Sequence, residues 1–309
     1  MPTLRETIKG VVHEHLIERN GIALGQCLTA VGWVGGTLPE LYEEDGMVEL
    51  SMADVAGGGI AVGAALVGRR PMYIIRYQGF NWYNSPMIVN YAAKSKDIWG
   101  MPCPLFVRSI AMEGSIGPVA GSSHHSLYYR MPGIKIVSPM TPGEYLKIYN
   151  DFMNEDEVYY VSEHRGAYNN TEELPDILIE DPHIVLFPIS ITRFAAVEAA
   201  KELLKEGIRV GVCHIMQIKP FQPSLESLEY LLNCEFGGIV LDDDYVDGIA
   251  KSISFDLTKL TNGIPMNVMG LEDKTAGFYS QVDNLPPSKE KIINKIKSIM
   301  KNDCYKNTL

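Results

Sequence analysis

Several residues of this chain have types and spacings suited to chemistry. Asp54 heads a run rich in glycine and alanine, residues 54–65, directly after an apolar strand-like stretch. A carboxyl group there caps the helix that follows or, in a dry pocket, retains or shares a proton. Tyr77 and Phe80 follow the next apolar stretch. A flat ring at a strand end belongs to a core, or stacks on a flat heteroaromatic ligand. His124 and His125 stand in a Gly/Ser/His loop over 111–127, either as surface histidines or as imidazoles that move a proton. Tyr128, Tyr129 and Arg130 come next, solvated or holding an anion. Other clusters carry less. His13 and His15 are two apart on a helical segment, face different directions and cannot share a metal. Asp242, Asp243 and Asp244 end a strand and read as solvated. Cys213 and His214 alternate on a strand, so they face opposite sides.

The elements around these residues alternate between strand and helix. Strands are expected at 21–28, 47–51, 71–77, 104–110, 134–138 and 158–162. Helices are expected at 3–19, 38–44, 55–67, 81–94 and 143–153. A segment at 166–182, with Asn169, Asn170, several acids and two prolines, reads as a linker. Beyond it strands are expected at 184–191, 209–218, 238–241 and 265–269, and helices at 193–206, 225–233, 248–260 and 288–300. The last of these carries Ile292, Ile293, Ile296 and Met300 on one face and lysines on the other. The pattern predicts an α/β protein of two doubly wound, mostly parallel-sheet domains, 1–175 and 183–309. In such sheets the ligand site lies at the carboxyl ends of the strands, which selects the loops after Ser51, Tyr77 and Ile110.

Bulk properties narrow the class. With 309 residues the chain is long for one small domain and suited to two. A net charge of −11 disfavours nucleic acid and anionic membrane, whose phosphates need clustered Lys and Arg. No run approaches the ~20 apolar residues of a spanning helix, and the N-terminus lacks a signal-peptide pattern. The five scattered cysteines, with no CxxC pair, read as reduced thiols of a cytoplasmic protein, without zinc.

Order and spacing of several motifs carry a resemblance over nearly the whole chain. They are the Asp54 segment ending Gly63-Ala-Ala65, Arg70-Pro71, the Tyr77 to Phe80 loop, Asn90-Tyr-Ala-Ala-Lys94, and Pro132-Gly-Ile-Lys-Ile-Val-Ser-Pro139. Ile218-Lys-Pro220 and Leu285-Pro-Pro287 continue it into the second half. Together these resemble the beta subunits of thiamine-diphosphate-dependent 2-oxoacid dehydrogenases and the C-terminal half of split transketolases. The resemblance implies a pyrimidine-binding domain followed by a transketolase C-terminal-like domain. It implies that Asp54, where the family has Glu, bonds the pyrimidine ring of thiamine diphosphate, that Phe80 stacks on it in the Tyr77 loop, and that Gln26, in place of a family Glu, lies close by. It also implies that His125, or His124, assists the chemistry. Asp reaches one methylene less far than Glu. Asp45-Gly46 and Asp247-Gly248 lack the preceding Gly and downstream Asn of the family's Gly-Asp-Gly…Asn motif. Diphosphate and Mg2+ are therefore expected on an alpha-type partner subunit, in an α2β2 assembly acting on a 2-oxoacid or a ketose. The departures at Asp54 and Gln26 leave open an alternative, a non-catalytic scaffold or regulatory subunit of such a complex. An unrelated nucleotide-binding α/β enzyme has no GxGxxG or P-loop to support it.

Overall fold

The computed structural model describes residues 1–113, 119–277 and 281–306, with Val31 and the last five of these by backbone only. The loop expected over 111–127 therefore lies partly outside the described residues, as does the side chain of Cys304; the other four cysteines are free thiols. Among the described residues no helix is long and apolar enough to cross a membrane. The chain divides into two compact units: Met1–Glu173 with Met216–Pro220, and Leu174–Ile215 with Phe221–Leu309.

Unit 1 is built on a seven-stranded sheet. Its strands are β1 (Ala23–Gln26), β2 (Met47–Leu50), β3 (Met72–Ile75), β4 (Leu105–Ala111), β5 (Ile134–Val137), β6 (Val158–His164) and, from later in the chain, β9 (Gln217–Lys219). The spatial order is β2-β1-β3-β4-β6-β5-β9. All neighbours run parallel except β5 and β9, which are antiparallel. β4 and β6 are buried at every residue. They read Leu-Phe-Val-Arg-Ser-Ile-Ala and Val-Tyr-Tyr-Val-Ser-Glu-His, largely β-branched and aromatic, as a parallel strand covered on both faces requires. The two charged exceptions match each other: Arg108 donates from Nε to Glu163 Oε1 at 2.7 Å and from Nη2 to Oε2 at 2.9 Å. The hydroxyls of Tyr145 and Tyr168 also donate to Glu163.

Helix α1 (Leu4–His13) opens with a capping box. Thr3 accepts from the Glu6 N–H, and the Glu6 carboxylate accepts from the Thr3 N–H. Its face of Leu4, Ile8, Val11 and Val12 is buried. The helix expected over 38–44 is absent. A short helix, α2 (Ala30–Gly36), precedes that stretch, and a single 3-10 turn, Glu43–Asp45, closes it. Pro39 accounts for the gap, because it disfavours helical geometry at Leu38 and supplies no donor. Residues 32–36 all have positive φ, from 50° at Val34 to 78° at Gly36, so this turn winds left-handed. Gly32, Gly35 and Gly36 make that conformation accessible; Trp33 and Val34 carry its steric cost.

His15 follows α1 and is 1 % exposed, its Nδ1 3.1 Å from the Tyr149 hydroxyl. Burial pulls its pKa down to about 4, with the Arg19 charge acting in the same direction. The native state thus keeps it neutral, while the unfolded chain binds a proton below about pH 6.5. Stability is expected to fall as pH drops from 6.5 towards 4, by up to about 3 kcal/mol at 1.36 kcal/mol per pKa unit. Urea unfolding at pH 7 and pH 4.5 tests this. The drop should shrink in His15→Gln, and an equal drop in both proteins would refute the assignment.

Unit 2 is a smaller parallel sheet of β7 (Ile184–Pro188), β8 (Val210–Val212), β10 (Gly238–Tyr245) and β11 (Met266–Leu271), in the order β11-β10-β7-β8. Ile184, Leu186, Ile239 and Leu241 form its core with Ala196, Ala199 and Leu203 of Thr192–Lys205 and with Ile292 and Ile296 of Lys289–Lys306. The strand expected over 209–218 is two strands. After β8 the chain leaves this sheet, and β9 joins β5 in the other, with Ile136 opposite Lys219. Cys213 and His214 therefore lie beyond β8, where Asp176 accepts from the His214 N–H at 2.7 Å.

Candidate functional site

The strand order of unit 1 reverses between β1 and β3: β2 lies on one side of β1, while β3, β4 and β6 lead away on the other. A parallel sheet leaves a crevice outside the carboxyl ends of its strands at such a point. A cavity of about 130 Å³, partly open to solvent, occupies this place. Gln26 and Cys27 reach it from the end of β1, and Arg76 and Tyr77 from the end of β3. Asp54 reaches it from the first turn of α3 (Asp54–Leu66), and Phe80 and Asn84 from the start of α4 (Asn81–Met87) and the turn before it. Ile74, Ile75 and Met52 make the remaining wall apolar.

Four residues selected from the sequence, Gln26, Asp54, Tyr77 and Phe80, thus line one cavity. The Tyr77 and Phe80 rings are 6.3 Å apart and tilted by 37°. Asp54 is held by a residue that the sequence did not single out. Asn84, 1 % exposed, donates from Nδ2 to Asp54 Oδ1 at 2.8 Å and to the Phe80 carbonyl at 2.9 Å. Its own Oδ1 accepts from the Tyr73 hydroxyl. Burial, reinforced by the Asp54 charge, keeps the Tyr73 phenol well above its ordinary pKa, so it remains a donor. Gly57 makes room for that hydroxyl, since a Cβ there would lie 3.0 Å from it. The chain from Tyr73 through Asn84 to Asp54 therefore fixes one carboxylate oxygen. The other, Oδ2, accepts no hydrogen bond among the described residues. The signal that would have revealed Asn84 is its spacing: four residues after Phe80, it falls on the same side of α4.

Gln26 contributes a second unmatched group. Its Nε2 is buried without a hydrogen-bond partner among the described residues. An unmatched buried amide costs about 1–3 kcal/mol. The cavity thus combines a free carboxylate oxygen, an unmatched amide donor, an aromatic ring and apolar walls. That set suits a flat heteroaromatic carrying both donors and acceptors.

His124 and His125 do not line the cavity. The Gln78 side chain gathers this part of the loop, accepting from the His124 N–H at 2.6 Å and donating to Ser162 Oγ at 2.7 Å. His125, fully buried, places Nδ1 3.2 Å from the same Oγ. The His124 ring lies edge-on to Trp82. Tyr128 is buried against Tyr160, with ring centroids 4.4 Å apart, so it is a core residue and not an anion ligand.

A carboxylate and an aromatic ring facing a crevice at the reversal of a parallel sheet define a ligand-binding α/β domain. The family model described as the pyrimidine binding domain of transketolase matches residues 8–171. The chain belongs to that family. It is 26% identical over 225 residues to the 2-oxoisovalerate dehydrogenase subunit beta of Bacillus subtilis, covering 64% of this chain and 66% of the other. It is 28% identical over 223 residues to the acetoin:2,6-dichlorophenolindophenol oxidoreductase subunit beta of Cupriavidus necator, covering 65% and 64%. These alignments span just under two thirds of the two relatives. The pyruvate dehydrogenase E1 component subunit beta of Rickettsia felis is 23% identical over 98% of both chains. A split-gene transketolase solved as an inactive beta4 tetramer superposes with a TM-score of 0.76 at 16% identity, over 97% of this chain and 98% of that one, which establishes likeness of fold.

Proposed function

We propose that the chain is the β-type subunit of a thiamine-diphosphate-dependent enzyme acting on a 2-oxoacid or a ketose. The observation that carries this reading is the pairing of Asp54 and Phe80 in one cavity at the β1/β3 reversal. The residues present fit the pyrimidine end of the cofactor. Thiamine diphosphate, when bound, supplies a nucleophilic carbon that takes up the carbonyl fragment and passes it on. Asp54 Oδ2 holds or returns the proton at the pyrimidine ring nitrogen, with Oδ1 locked by Asn84 so that the carboxylate cannot swing away. Phe80 and the Ile74 and Ile75 wall exclude water from that contact, which strengthens it. Gln26 Nε2 donates to a ring acceptor. The resemblance assigns later proton transfers to His125 or His124, although neither lines this cavity.

The diphosphate and its Mg2+ are held by an alpha-type partner subunit carrying the Gly-Asp-Gly…Asn run that this sequence lacks, in an α2β2 assembly. The beta-subunit names of the relatives support the division of labour. So does the net charge of −11, which favours a partner for a diphosphate.

The test is calorimetric titration of thiamine diphosphate with Mg2+ into the chain alone and into the chain co-expressed with such a partner. Binding to the pair only is expected. No binding to either would favour a scaffold role, and tight binding to the lone chain would refute the divided site. In the pair, Phe80→Leu should weaken binding about two- to twelvefold, the worth of an aromatic stack of ~0.5–1.5 kcal/mol beyond its area. Unchanged affinity would remove Phe80 from the site.

A further inference from the structure

A second, smaller pocket shares two of its walls with the cavity. Arg76 and Tyr77 line both, and Val34, Gly35, Ile110, Arg165 and Tyr168 complete the smaller one. Its polar character is cationic. Arg76 stacks its guanidinium 5.4 Å from the Tyr77 ring centroid and has no carboxylate partner among the described residues. Arg165 makes a single side-chain contact there, from Nη1 to the thioether of Met112 at 3.6 Å, a weak acceptor. Both side chains are half-buried. Tyr168 is not available as a counter-group, because its hydroxyl donates to Glu163 at 2.9 Å.

Two half-buried guanidiniums on one pocket, each without a carboxylate among the described residues, give up hydration with no counter-charge to replace it. In a chain whose acids outnumber its cations by eleven, neutral matching would be easy to supply. The backbone makes space for the arrangement. Gly35 sits in the left-handed turn with φ +65°, and a Cβ on it would come within 3.1 Å of Arg165 Nη2. Planar guanidinium forks match the oxygens of a carboxylate or phosphate in paired hydrogen bonds.

We infer that Arg76 and Arg165 form an oxyanion subsite beside the cofactor cavity, so that the substrate carries a second anionic group, a carboxylate or a phosphate, away from its reacting carbonyl. The anion site itself rests on the pocket; that its occupant is a substrate rests on the function proposed above. Arg76 and Arg165 would then select substrates, while Asp54 serves the cofactor.

The experiment is calorimetric titration of inorganic phosphate and of succinate into the full chain, comparing the natural protein with Arg76→Gln, Arg165→Gln, Arg76→Lys and the distant, exposed Arg69→Gln. Each Gln substitution in the pocket should weaken anion binding about tenfold, the worth of one charge-assisted contact. Arg76→Lys should lose less, and Arg69→Gln should bind as the natural protein does. A preference for phosphate would mark a phosphorylated ketose, and a preference for succinate a dicarboxylic 2-oxoacid. Binding that is absent, or indifferent to both arginines in proteins with unchanged thermal unfolding, overturns the subsite. Displacement of phosphate by thiamine diphosphate with Mg2+ also overturns it as a substrate site. Arginine-dependent anion binding in a chain that takes up no thiamine diphosphate, with or without its partner, would retain the anion site and reject the proposed function. The converse result would reject only the subsite.

Discussion

Asp54→Ala is expected to lower turnover of the reconstituted enzyme by about 100- to 10,000-fold, the usual contribution of a positioned acid–base group. The variant removes the one carboxylate among the described residues on the cavity wall and leaves the Asn84 amide only the Phe80 carbonyl as acceptor. Asp54→Asn should fail nearly as badly, because it keeps the shape but not the capacity to hold a proton. Asp54→Glu separates reach from chemistry. The natural carboxylate is already locked at 2.8 Å by Asn84, so an extra methylene of ~1.5 Å displaces it, and a misplacement of about 1 Å can cost ~100-fold. Glu is thus expected to work poorly here although it is the family's residue. Steady-state rates of the assembled complex decide the matter. Turnover retained in Asp54→Ala would remove Asp54 from the chemistry and favour a non-catalytic role for this chain in the complex.

Arg108→Met carries the largest expected effect on stability. Arg108 and Glu163 are 0 % and 1 % exposed in the middle of the sheet. Burial opposes the Arg108 charge, and the adjacent Glu163 carboxylate outweighs it, holding the guanidinium pKa above its ordinary value. Removing the cation strands Glu163 in the core with only the Tyr145 and Tyr168 hydroxyls and other neutral groups to match it. Breaking a buried pair from one side costs about 3–5 kcal/mol. Urea unfolding at pH 7 should show that loss, and the double variant Arg108→Met with Glu163→Leu should recover much of it. A single variant within about 1 kcal/mol of the natural protein would mean that solvent reaches the pair and compensates for it.

The cavity residues were legible to different degrees. Asp54 and Phe80 stand out because motif order and spacing survive as local sequence. Tyr73 and Asn84 were not legible. Tyr73 reads as an ordinary strand residue and Asn84 as an ordinary helical one, and only the folded chain brings them to Asp54, 19 and 30 residues away. Arg76 and Arg165 lie 89 positions apart and line one pocket only because β3 and β6 both flank β4. The left-handed turn of α2 has a partial signal in Gly32, Gly35 and Gly36, yet nothing local shows that Trp33 and Val34 follow the same hand. His124 and His125 were visible as residue types, whereas their retreat into a buried network with Gln78 and Ser162 depends on contacts 37 to 84 positions apart.

The sequence by itself determined the α/β class, most strands and helices, and the family. Apolar periodicity and caps report which face of a local segment is buried, and both act within a few residues. Only the tertiary structure decided the strand order β2-β1-β3, which opens the crevice, and the transfer of β9 to the first sheet. Strand pairing is a competition between segments far apart in the chain. It is settled by backbone hydrogen bonds that every segment offers alike, and a pattern read along one strand carries no record of its neighbour.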